Sequence, residues 1–344
     1  MLINDIKNIN LPAKKEEEFL KIDFTKLFSY DFKTVQTSLI DLEGLKTVEN
    51  KEIYESKLFS IAKGFDNNQK VLTISKDTNE PIILIHKLSS DETLFTNSLK
   101  IELEKNVKAQ VIEVFVSKSQ NSSFILNRDL VLGENSNLEY VKIQDIDSLN
   151  SMIFLNKSAQ GDFSNLEITN FEFGEGFVVN SFENIIENHD INYELNGLHK
   201  LKNSANTSTL VKTTHNNKNS RSNINYKNTL LDSSRAVVKI KSIVNNNAPF
   251  SKAFQACNTI LLSDDAVIFA QPFLEIFIDE LEASHGTTTG TLNKEQLLYL
   301  QSRGISKKEA YEMLLEAFES SIAQNIKNEK MKKFVENYKR ESYV

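Results

Sequence analysis

His285 lies in the part of this chain where the residue types could support metal chemistry. It is one of five histidines, and it stands between a carboxylate-rich apolar run and a Gly/Thr turn in the sequence EIFIDELEASHGTTTG. Imidazole is a good ligand for iron, zinc and copper, and a carboxylate commonly holds its second ring nitrogen. Asp279, Glu280 and Glu282 are close enough in sequence to supply that contact. The alternative is a histidine that only hydrogen-bonds the following turn, because no multidentate ligand spacing surrounds it.

The other histidines and the single cysteine have simpler interpretations. His86 follows the apolar run PIILI and is expected to end a strand, whereas His215 lies in the polar stretch THNNKNSRS and is expected to be solvated or to cap a ladder. His189 and His199 flank an alternating run without metal-ligand spacing. Cys257 precedes the apolar run ILL, where a buried and inert thiol is expected. One cysteine excludes an internal disulfide and a Cys-only metal site within one chain.

Motifs for nucleotide binding and for hydrolysis are absent from the sequence. It contains neither GxxxxGK[ST] nor GxGxxG, and it has no GxSxG elbow or HExxH helix. FGEGF at residues 173–177 places two glycines in an aromatic turn, which is too little for a phosphate cradle. We therefore do not expect a self-sufficient enzyme.

The composition predicts a soluble protein with a sizeable core. Forty basic residues against 47 acidic ones leave a net charge of −7, so no general attraction to nucleic acid or anionic membranes is expected. The N-terminus lacks the basic start and the long apolar run of a secretory signal. No apolar stretch reaches the roughly 18 residues of a membrane-spanning helix. We expect a cytoplasmic protein that binds neither nucleic acid nor membrane.

Three regions with different periodicity must position these residues. The sequence predicts a helical or mixed region over residues 1–70. It predicts a β-helix core over residues 71–288 and a helical domain over residues 289–344. In the core, apolar and polar residues alternate in runs such as IELEKNVKAQVIEVF, and Asn-rich turns separate the runs. A sandwich or barrel also fits, but the similarity of the runs and the asparagines favour stacked coils. Residues 204–228 predict either a disordered insertion or polar-faced strands of the same solenoid.

The C-terminal region predicts two helices joined by a turn. Asn293 with Gln296, and Ser306 with Glu309, have the spacing of a capping box, and Gly304 suits the turn between the helices. Repeated glutamates make the second helix a poor reader of a DNA groove. A protein-binding helical pair is therefore favoured over a DNA-binding helix-turn-helix.

The C-terminal part of the chain closely resembles the SufB/SufD family of iron–sulfur cluster assembly proteins. The matching features are LLS at 261–263, Pro272 with LEI at 274–276, SHG at 284–286 and YLQSRGI at 299–305. Further matches are LPAKKEEEFLK at 11–21, FGEGFVVNSF at 173–182, ELNGL at 194–198 and YKNTLLD at 226–232. Phe19 stands where the family usually has a tryptophan. Because no cysteine lies near the SHG turn or in an N-terminal cluster, the chain is similar to the SufD branch rather than to the SufB branch.

The resemblance implies a fold and a function together. The fold is a right-handed parallel β-helix flanked by an N-terminal helical region and a C-terminal helical domain. The function is that of a non-enzymatic scaffold, which pairs with SufB through the β-helix and binds the SufC ATPase through the C-terminal domain. ATP hydrolysis by SufC then remodels the SufB–SufD interface, where a nascent cluster forms.

The resemblance also implies site residues. His285 matches a histidine proposed for that interface, opposite a cysteine and a glutamate of SufB. The family often has Cys-Ser-His-Gly here, whereas this chain has Ala283, so a thiolate must come from the partner. No cofactor is expected to be held by this chain alone, and an iron ion or iron–sulfur cluster is implied only at the SufB interface.

Partner binding is predicted at the turn between the two helices. The residues are Tyr299, Arg303, Gly304 and Ser306. The alternative is that Tyr299 and Arg303 only fix the turn.

Two other functions fit the sequence. One is a cytoplasmic β-helix homodimer that binds metal or protein without SufB. The other is a β-helix carbohydrate-active enzyme, such as a lyase or an esterase. Recovery of SufB and SufC with the tagged protein would separate the scaffold from both.

Overall fold

Two long parallel sheets dominate the structure. The computed structural model describes residues 11–12, 16–27, 30–37, 45–51 and 56–342. The described residues form eighteen strands, four α-helices (α1–α4) and two short 3-10 helices, Glu17–Phe19 and Phe24–Lys26. The strands are β1 (Thr34–Thr37), β2 (Lys46–Glu49), β3 (Asn68–Ile74), β4 (Ile82–Leu88), β5 (Thr93–Leu103), β6 (Lys108–Ser117), β7 (Ser122–Leu132), β8 (Asn137–Ile146), β9 (Asn150–Gln160), β10 (Asn165–Gly174), β11 (Phe177–Ile186), β12 (Asn192–Leu201), β13 (Asn206–His215), β14 (Arg221–Leu230), β15 (Arg235–Val244), β16 (Ser251–Leu261), β17 (Val267–Ile276) and β18 (Leu281–Gly290). The helices are α1 (Lys57–Phe65), α2 (Lys294–Ser302), α3 (Lys307–Ala323) and α4 (Glu329–Ser342).

Successive strands alternate between the two sheets. The odd-numbered strands β3 to β17 form one sheet and the even-numbered strands β4 to β18 form the other, all in parallel register. At the N-terminal end, β2 pairs antiparallel with β3, and β1 pairs with β5. Register partners in neighbouring coils are separated by 26 residues at Ser151 and Phe177 and by 32 residues at Arg235 and Val267. The chain is therefore a parallel β-solenoid of about eight coils, as the stacked-coil interpretation predicted, and not a sandwich or barrel.

The polar stretch of residues 204–228 belongs to the solenoid. It contains β13, and β14 begins within it. Each of these strands lies between two parallel neighbours, β13 between β11 and β15, and β14 between β12 and β16. Of the two interpretations of this stretch, polar-faced strands are confirmed and a disordered insertion is wrong.

Asparagine has a specific role in the turns between strands. Asn106, Asn135 and Asn219 have positive φ angles of 63°, 56° and 59°, a conformation that asparagine tolerates better than most residues. Amides of neighbouring coils also bond to one another, as between Asn135 Nδ2 and Asn106 Oδ1 at 2.7 Å. The expected asparagine ladder is thus present, and it holds successive coils in register.

Aromatic side chains fill the lumen between the two sheets. Phe115, Phe124, Phe154 and Phe182 are fully buried there. The rings of Phe115 and Phe154 are 5.6 Å apart, and those of Phe154 and Phe182 are 5.8 Å apart. Each coil stacks on the next through such contacts, so the lumen is a packed core and not a pore.

Both outer faces of the solenoid are covered by other segments. Phe19, Phe24 and Phe59 pack on the outer face of the odd-numbered sheet. Ile322 and Met331, on α3 and α4, pack on the outer face of the even-numbered sheet. None of the helices in the described ranges has the length and apolar character needed to cross a bilayer.

Candidate functional site at the open end of the solenoid

Both sheets end at the same pole of the solenoid, which we call the open end and define as β17 and β18. Among the described residues, no strand pairs with the outer edge of either one. Large apolar side chains are exposed here, with Phe273 at 39%, Ile276 at 43% and Phe277 at 58%. Unpaired N–H and C=O groups along an edge strand are a template for pairing with another chain. The open end is therefore the candidate interaction surface.

His285 lies on this surface. It is in register with Gln255 of β16, which is buried in the lumen. Because register partners point to the same face of a sheet, His285 also lies on the lumen face, and it is exposed because β18 is the last strand. Ala283 and Thr287 share that face and offer no thiolate or imidazole. The open end thus presents one imidazole toward an incoming partner.

Glu282 does not orient this histidine. Residues three apart on a strand point to opposite faces, so Glu282 lies on the outer face, where its Oε1 is 2.8 Å from Lys252 Nζ. Glu282 as the partner of His285 is therefore wrong. Asp279 and Glu280 precede β18 and are exposed. In the part of the chain that the structure describes, no three His, Cys, Asp or Glu side chains are grouped to hold a metal.

Cys257 lies one strand below the open end, in register with Thr287. Its thiol is buried, and Asn228 Nδ2 lies 3.3 Å from Sγ. Burial raises the pKa of the thiol to about 11, so the reactive thiolate is disfavoured at neutral pH. The expectation of a buried, inert thiol is confirmed.

The lumen contains a charged cluster that the sequence did not predict. The Glu113 carboxylate on β6 lies 2.7 Å from Arg128 Nη2 on β7 and 2.7 Å from His86 Nε2 on β4. Tyr140 also donates its hydroxyl proton to this carboxylate. All four side chains are buried. Burial alone would raise the pKa of Glu113, but Arg128 and His86 outweigh it and hold the pKa well below its usual range.

His86 contributes to this cluster as a neutral side chain. Burial lowers the pKa of His86, and the contact with Glu113 offsets only part of that effect. The ring also stacks on Phe115 with the centroids 4.8 Å apart. His86 lies in β4 as predicted, two residues before the strand ends, and it forms a hydrogen bond with the buried Glu113 carboxylate.

A second charged cluster surrounds Glu172 on β10. Glu172 Oε2 lies 2.8 Å from His199 Nε2 and accepts a hydrogen bond from Asn180 Nδ2 at 2.6 Å. Thr209 Oγ1 donates to the same carboxylate at 2.8 Å. Burial raises the pKa of Glu172, but His199 and the other contacts dominate and lower it overall. The carboxylate is therefore held in its charged form inside the lumen.

Lys142 lies between the two clusters on β8. It is in register with Glu113 on one side and with Asn170 on the other. Its Nζ donates to Gln144 Oε1 at 2.5 Å and to Asn170 Oδ1 and Asn180 Oδ1 at 3.1 Å each. Burial lowers the pKa of Lys142 from 10.5 to about 7. The charge of this buried lysine therefore changes near neutral pH.

The glycine at position 197 leaves space for the ring of Tyr226 in the lumen. Gly197 is the register partner of both Asn170 and Tyr226. A Cβ atom at Gly197 would lie 2.1 Å from Cε1 of Tyr226, so a side chain there would displace the ring. With glycine in place, Asn170 Nδ2 donates to the Tyr226 hydroxyl at 3.0 Å. Gly197 of the ELNGL motif thus has a packing function.

His215 is also buried, and its predicted solvation is wrong. It is the last residue of β13 and its Nε2 lies 2.8 Å from Ser222 Oγ. Burial lowers the pKa of His215 to about 4. The stretch around it is polar in composition, but the parity of His215 matches that of the buried Val211. The same signal, inward parity within an alternating run, could have identified Glu113, which lies between Val111 and Phe115.

The turn between α2 and α3 contains the predicted partner-binding residues. Gly304 has a φ of 87°, and Ser306 accepts from the Glu309 N–H as half of a capping box. Both residues therefore have a local function in the turn. Tyr299 is 58% exposed, and the Arg303 guanidinium lies 5.3 Å from the centre of its ring. Tyr299 and Arg303 therefore form an exposed part of the turn, and partner binding there stays a prediction.

Comparison with known proteins identifies the family. Residues 86–318, more than half of the chain, match the family described as SUF system FeS cluster assembly, SufBD core domain. The chain belongs to the SufBD family. The match covers the solenoid from β4 to the open end and continues into α3. It therefore includes both charged clusters, His285 and the α2–α3 turn.

Several curated relatives are named iron–sulfur cluster assembly protein SufD. The one from Escherichia coli (strain K12) is 25% identical over 236 residues, which cover 68% of this chain and 56% of that protein. The one from Plasmodium falciparum is 26% identical over 346 residues, covering 96% of this chain and 21% of that protein. The one from Bacillus subtilis is 23% identical over 299 residues, covering 82% of this chain and 66% of that protein. These matches confirm the predicted resemblance to SufD, although the chain spans about half of the Escherichia coli relative and about a fifth of the Plasmodium one.

Proposed function

We propose that this SufBD protein is a non-enzymatic scaffold subunit in iron–sulfur cluster assembly. It pairs with SufB through the open end and binds the SufC ATPase through the helices after β18, and ATP hydrolysis by SufC remodels the interface where a nascent cluster forms. The observation that carries the proposal is the open end itself, where two edge strands, exposed apolar side chains and His285 lie together. Family membership favours this function over a carbohydrate-active enzyme.

Edge pairing supports a β-helical partner. β17 and β18 each offer about ten residues of unpaired backbone, and both edges face the same direction. A second solenoid that ends in the same way can pair with both edges at once and can cover Phe273 and Ile276. Long exposed edges are rare in proteins that act alone. SufB fits as a partner because the family resemblance gives it the same β-helical fold.

The chemistry of His285 supports a cargo site shared with that partner. Its imidazole is a borderline ligand suited to iron, and the alanine at position 283 offers no sulfur donor. In the proposed interface, the thiolate and carboxylate donors come from SufB, and His285 adds one nitrogen from this chain. The nascent cluster is therefore a cargo formed between the subunits, and this chain holds no cofactor alone.

The C-terminal helices support a second partner. None of the nine residues of α2 is buried, and Leu298 is 65% exposed beside Tyr299. Apolar residues on a helix without a covering surface indicate a protein contact. We assign this face, the α2 face formed by Leu298, Tyr299 and Arg303, to SufC.

The handedness of the coil, the division of the chain and the cellular location are also part of the proposal. Crossovers between parallel strands are right-handed in nearly all proteins, which supports a right-handed coil. The division into residues 1–70, 71–288 and 289–344 follows the changes in sequence periodicity, and the family resemblance implies helical regions that flank the β-helix. The proposal also includes a cytoplasmic location, shared with SufB and SufC.

Replacing His285 with alanine is expected to impair cluster assembly and to leave the fold intact. The side chain is exposed, so the free energy of unfolding should stay within about 0.5 kcal/mol of wild type. Loss of a ligand should lower the activity of iron–sulfur enzymes in cells that depend on this system by roughly tenfold. Thr287→Ala, on the same face of β18, is the matched control and should behave as wild type.

Co-purification tests the complex independently of the histidine. Tagged wild-type protein and the His285→Ala variant should both recover SufB and SufC. Recovery of a stable homodimer without SufB would contradict the pairing and support the homodimer instead. Normal activities of iron–sulfur enzymes in the His285→Ala strain, with the complex intact, would show that His285 does not help to hold the nascent cluster.

Replacing Tyr299 with alanine is expected to weaken SufC binding. An exposed tyrosine that becomes buried at the centre of an interface contributes about 2 kcal/mol or more, which corresponds to a roughly 30-fold weaker Kd. The measurement is titration of purified SufC by calorimetry, with Lys308→Ala on α3 as the exposed control. Unchanged affinity would mean that Tyr299 and Arg303 only fix the turn.

A further inference from the structure

A groove runs along one corner of the solenoid, beside α3. Its cavity has a volume of about 840 Å³. The floor consists of the turns that follow even-numbered strands, from Lys118 after β6 to Leu262 after β16, and the wall consists of Tyr311, Leu315 and Glu319 on α3. We call it the corner groove. It uses neither the open end nor the α2 face.

The length of the corner groove suits an extended chain. Its floor crosses six successive coils, and a spacing of about 4.8 Å between coils gives a length of about 24 Å. An extended segment rises about 3.3 Å per residue, so about seven residues fit.

The charge of the groove defines the chemistry of its occupant. A second cavity of about 620 Å³ adjoins it, and the two share Phe173, Lys200, Leu315 and Glu319. Five carboxylates and three lysines line the corner groove itself, and the second cavity adds three carboxylates and one lysine. Lys200 and Lys202 lie 2.9 and 3.7 Å from Glu319 and Glu175, so Asp91, Asp145 and Asp147 are balanced by one further lysine, Lys118. Such a surface attracts a cationic ligand.

Two aspartates of the corner groove have raised pKa values. Burial and the neighbouring Asp147 raise the pKa of Asp145, and burial raises the pKa of Asp147. Lys202 and Lys118 act in the opposite direction on Asp145, and Lys118 does so on Asp147, but neither shift is reversed. Leu149 lies beside them and is 48% exposed. A cationic group beside Asp145 and Asp147 would stabilise their charged forms, and an apolar group would cover Leu149.

We propose that the corner groove binds an extended segment of a partner protein, about seven residues long, in which basic and apolar side chains alternate. Alternation along an extended chain sends successive side chains to opposite sides. The basic side chains of the segment then reach the carboxylates of Asp145 and Asp147. Its apolar side chains cover Leu149 and Leu231 on the floor of the groove. This contact goes beyond the scaffold function, since it does not depend on SufB pairing or on a cluster.

Anisotropy of a labelled heptapeptide that alternates lysine and leucine tests the proposal on the purified full chain. We expect binding that weakens roughly tenfold in the Asp145→Asn/Asp147→Asn variant and roughly fivefold in Leu149→Asn. The matched control is Glu104→Gln/Glu187→Gln, which removes two carboxylates from the opposite corner and should bind as wild type. Circular dichroism checks that each variant is folded, which matters most for the half-buried Asp145.

Three outcomes would overturn the proposal. The first is equal affinity of the peptide for wild type and for the Asp145→Asn/Asp147→Asn variant. The second is equal affinity for a peptide in which glutamate replaces lysine. The third is binding of spermine as tight as that of the peptide, which would make the groove a site for polyamines. None of these readouts depends on SufB, SufC or iron, so failure here leaves the scaffold function untouched.

Discussion

Replacing Arg128 with methionine should lower the free energy of unfolding by about 3 to 5 kcal/mol. Removal of one member of a buried ion pair leaves the other charge without compensation, and such losses fall in this range. Arg128 bonds to Glu113 through Nε at 2.9 Å and also donates from Nη1 to the carbonyl oxygen of Asn97 at 3.2 Å. Methionine fills similar space but supplies neither the charge nor the donors. Urea unfolding followed by circular dichroism measures the effect.

Two further variants show whether the charge or the volume is responsible. Arg221→Met removes an exposed arginine of β14 that stacks on Phe254, and it should cost less than about 1 kcal/mol. Arg128→Met combined with Glu113→Gln removes both charges of the pair and should recover a large part of the loss. An Arg128→Met protein that unfolds at the wild-type urea concentration would show that the ion pair contributes nothing to stability.

The solenoid could be predicted from the sequence because each strand carries its own signal. Alternation in runs such as VIEVF indicates a strand and the parity that faces inward, and the asparagines of the turns indicate where each strand ends. Ser306 and Glu309 similarly predicted the start of α3. These are local properties, so no knowledge of neighbouring coils is needed. Helix α4 has a similar local signal, because Asn328 Oδ1 accepts hydrogen bonds from the N–H groups of Lys330 and Met331. The prediction of two C-terminal helices missed this third one.

The partners inside the lumen could not be predicted in the same way. The sequence separation between register partners of neighbouring coils varies from 26 to 32 residues. Alternation within a strand therefore identifies which residues face the lumen, but not which residue of the next coil lies beside each of them. Glu113 contacts Arg128 across the lumen and His86 from the preceding coil, and both contacts depend on register. The composition around His215 was misleading for a related reason. A solenoid lumen can bury polar residues when their neighbours supply hydrogen bonds.

The charged clusters and the open end are separate parts of the molecule. Glu172 lies on β10 and His285 on β18, four coils further along the same sheet. At about 4.8 Å per coil, this separation is about 19 Å. Effects of substitutions this far apart usually add, so changes in the lumen should alter stability without altering the chemistry of His285. Variants of the lumen can therefore be assayed by unfolding, and variants of the open end by assembly.

Lys142 should make the stability of the protein depend on pH between about 7 and 10.5. In the unfolded chain this lysine has its ordinary pKa of 10.5, whereas burial lowers the folded value to about 7. Within that window the unfolded chain holds a proton that the folded chain does not, so a fall in pH stabilises the unfolded chain. Stability from this group is fully present above pH 10.5, decreases as the pH falls, and is constant below pH 7. The difference corresponds to about 5 kcal/mol.

Lys142→Met isolates this contribution from the other groups that titrate in alkali. The thiol of Cys257 and the buried tyrosines act in the opposite direction, because burial raises the pKa of each. They are present in both proteins and cancel in the difference between wild-type and variant unfolding energies. That difference should shift by several kcal/mol in favour of wild type as the pH rises from 7 to 10, while Lys108→Met, at an exposed position of β6, should give a flat difference. A flat difference for Lys142→Met would mean that Lys142 stays charged inside the lumen, held by Glu172 and Glu113 despite its burial.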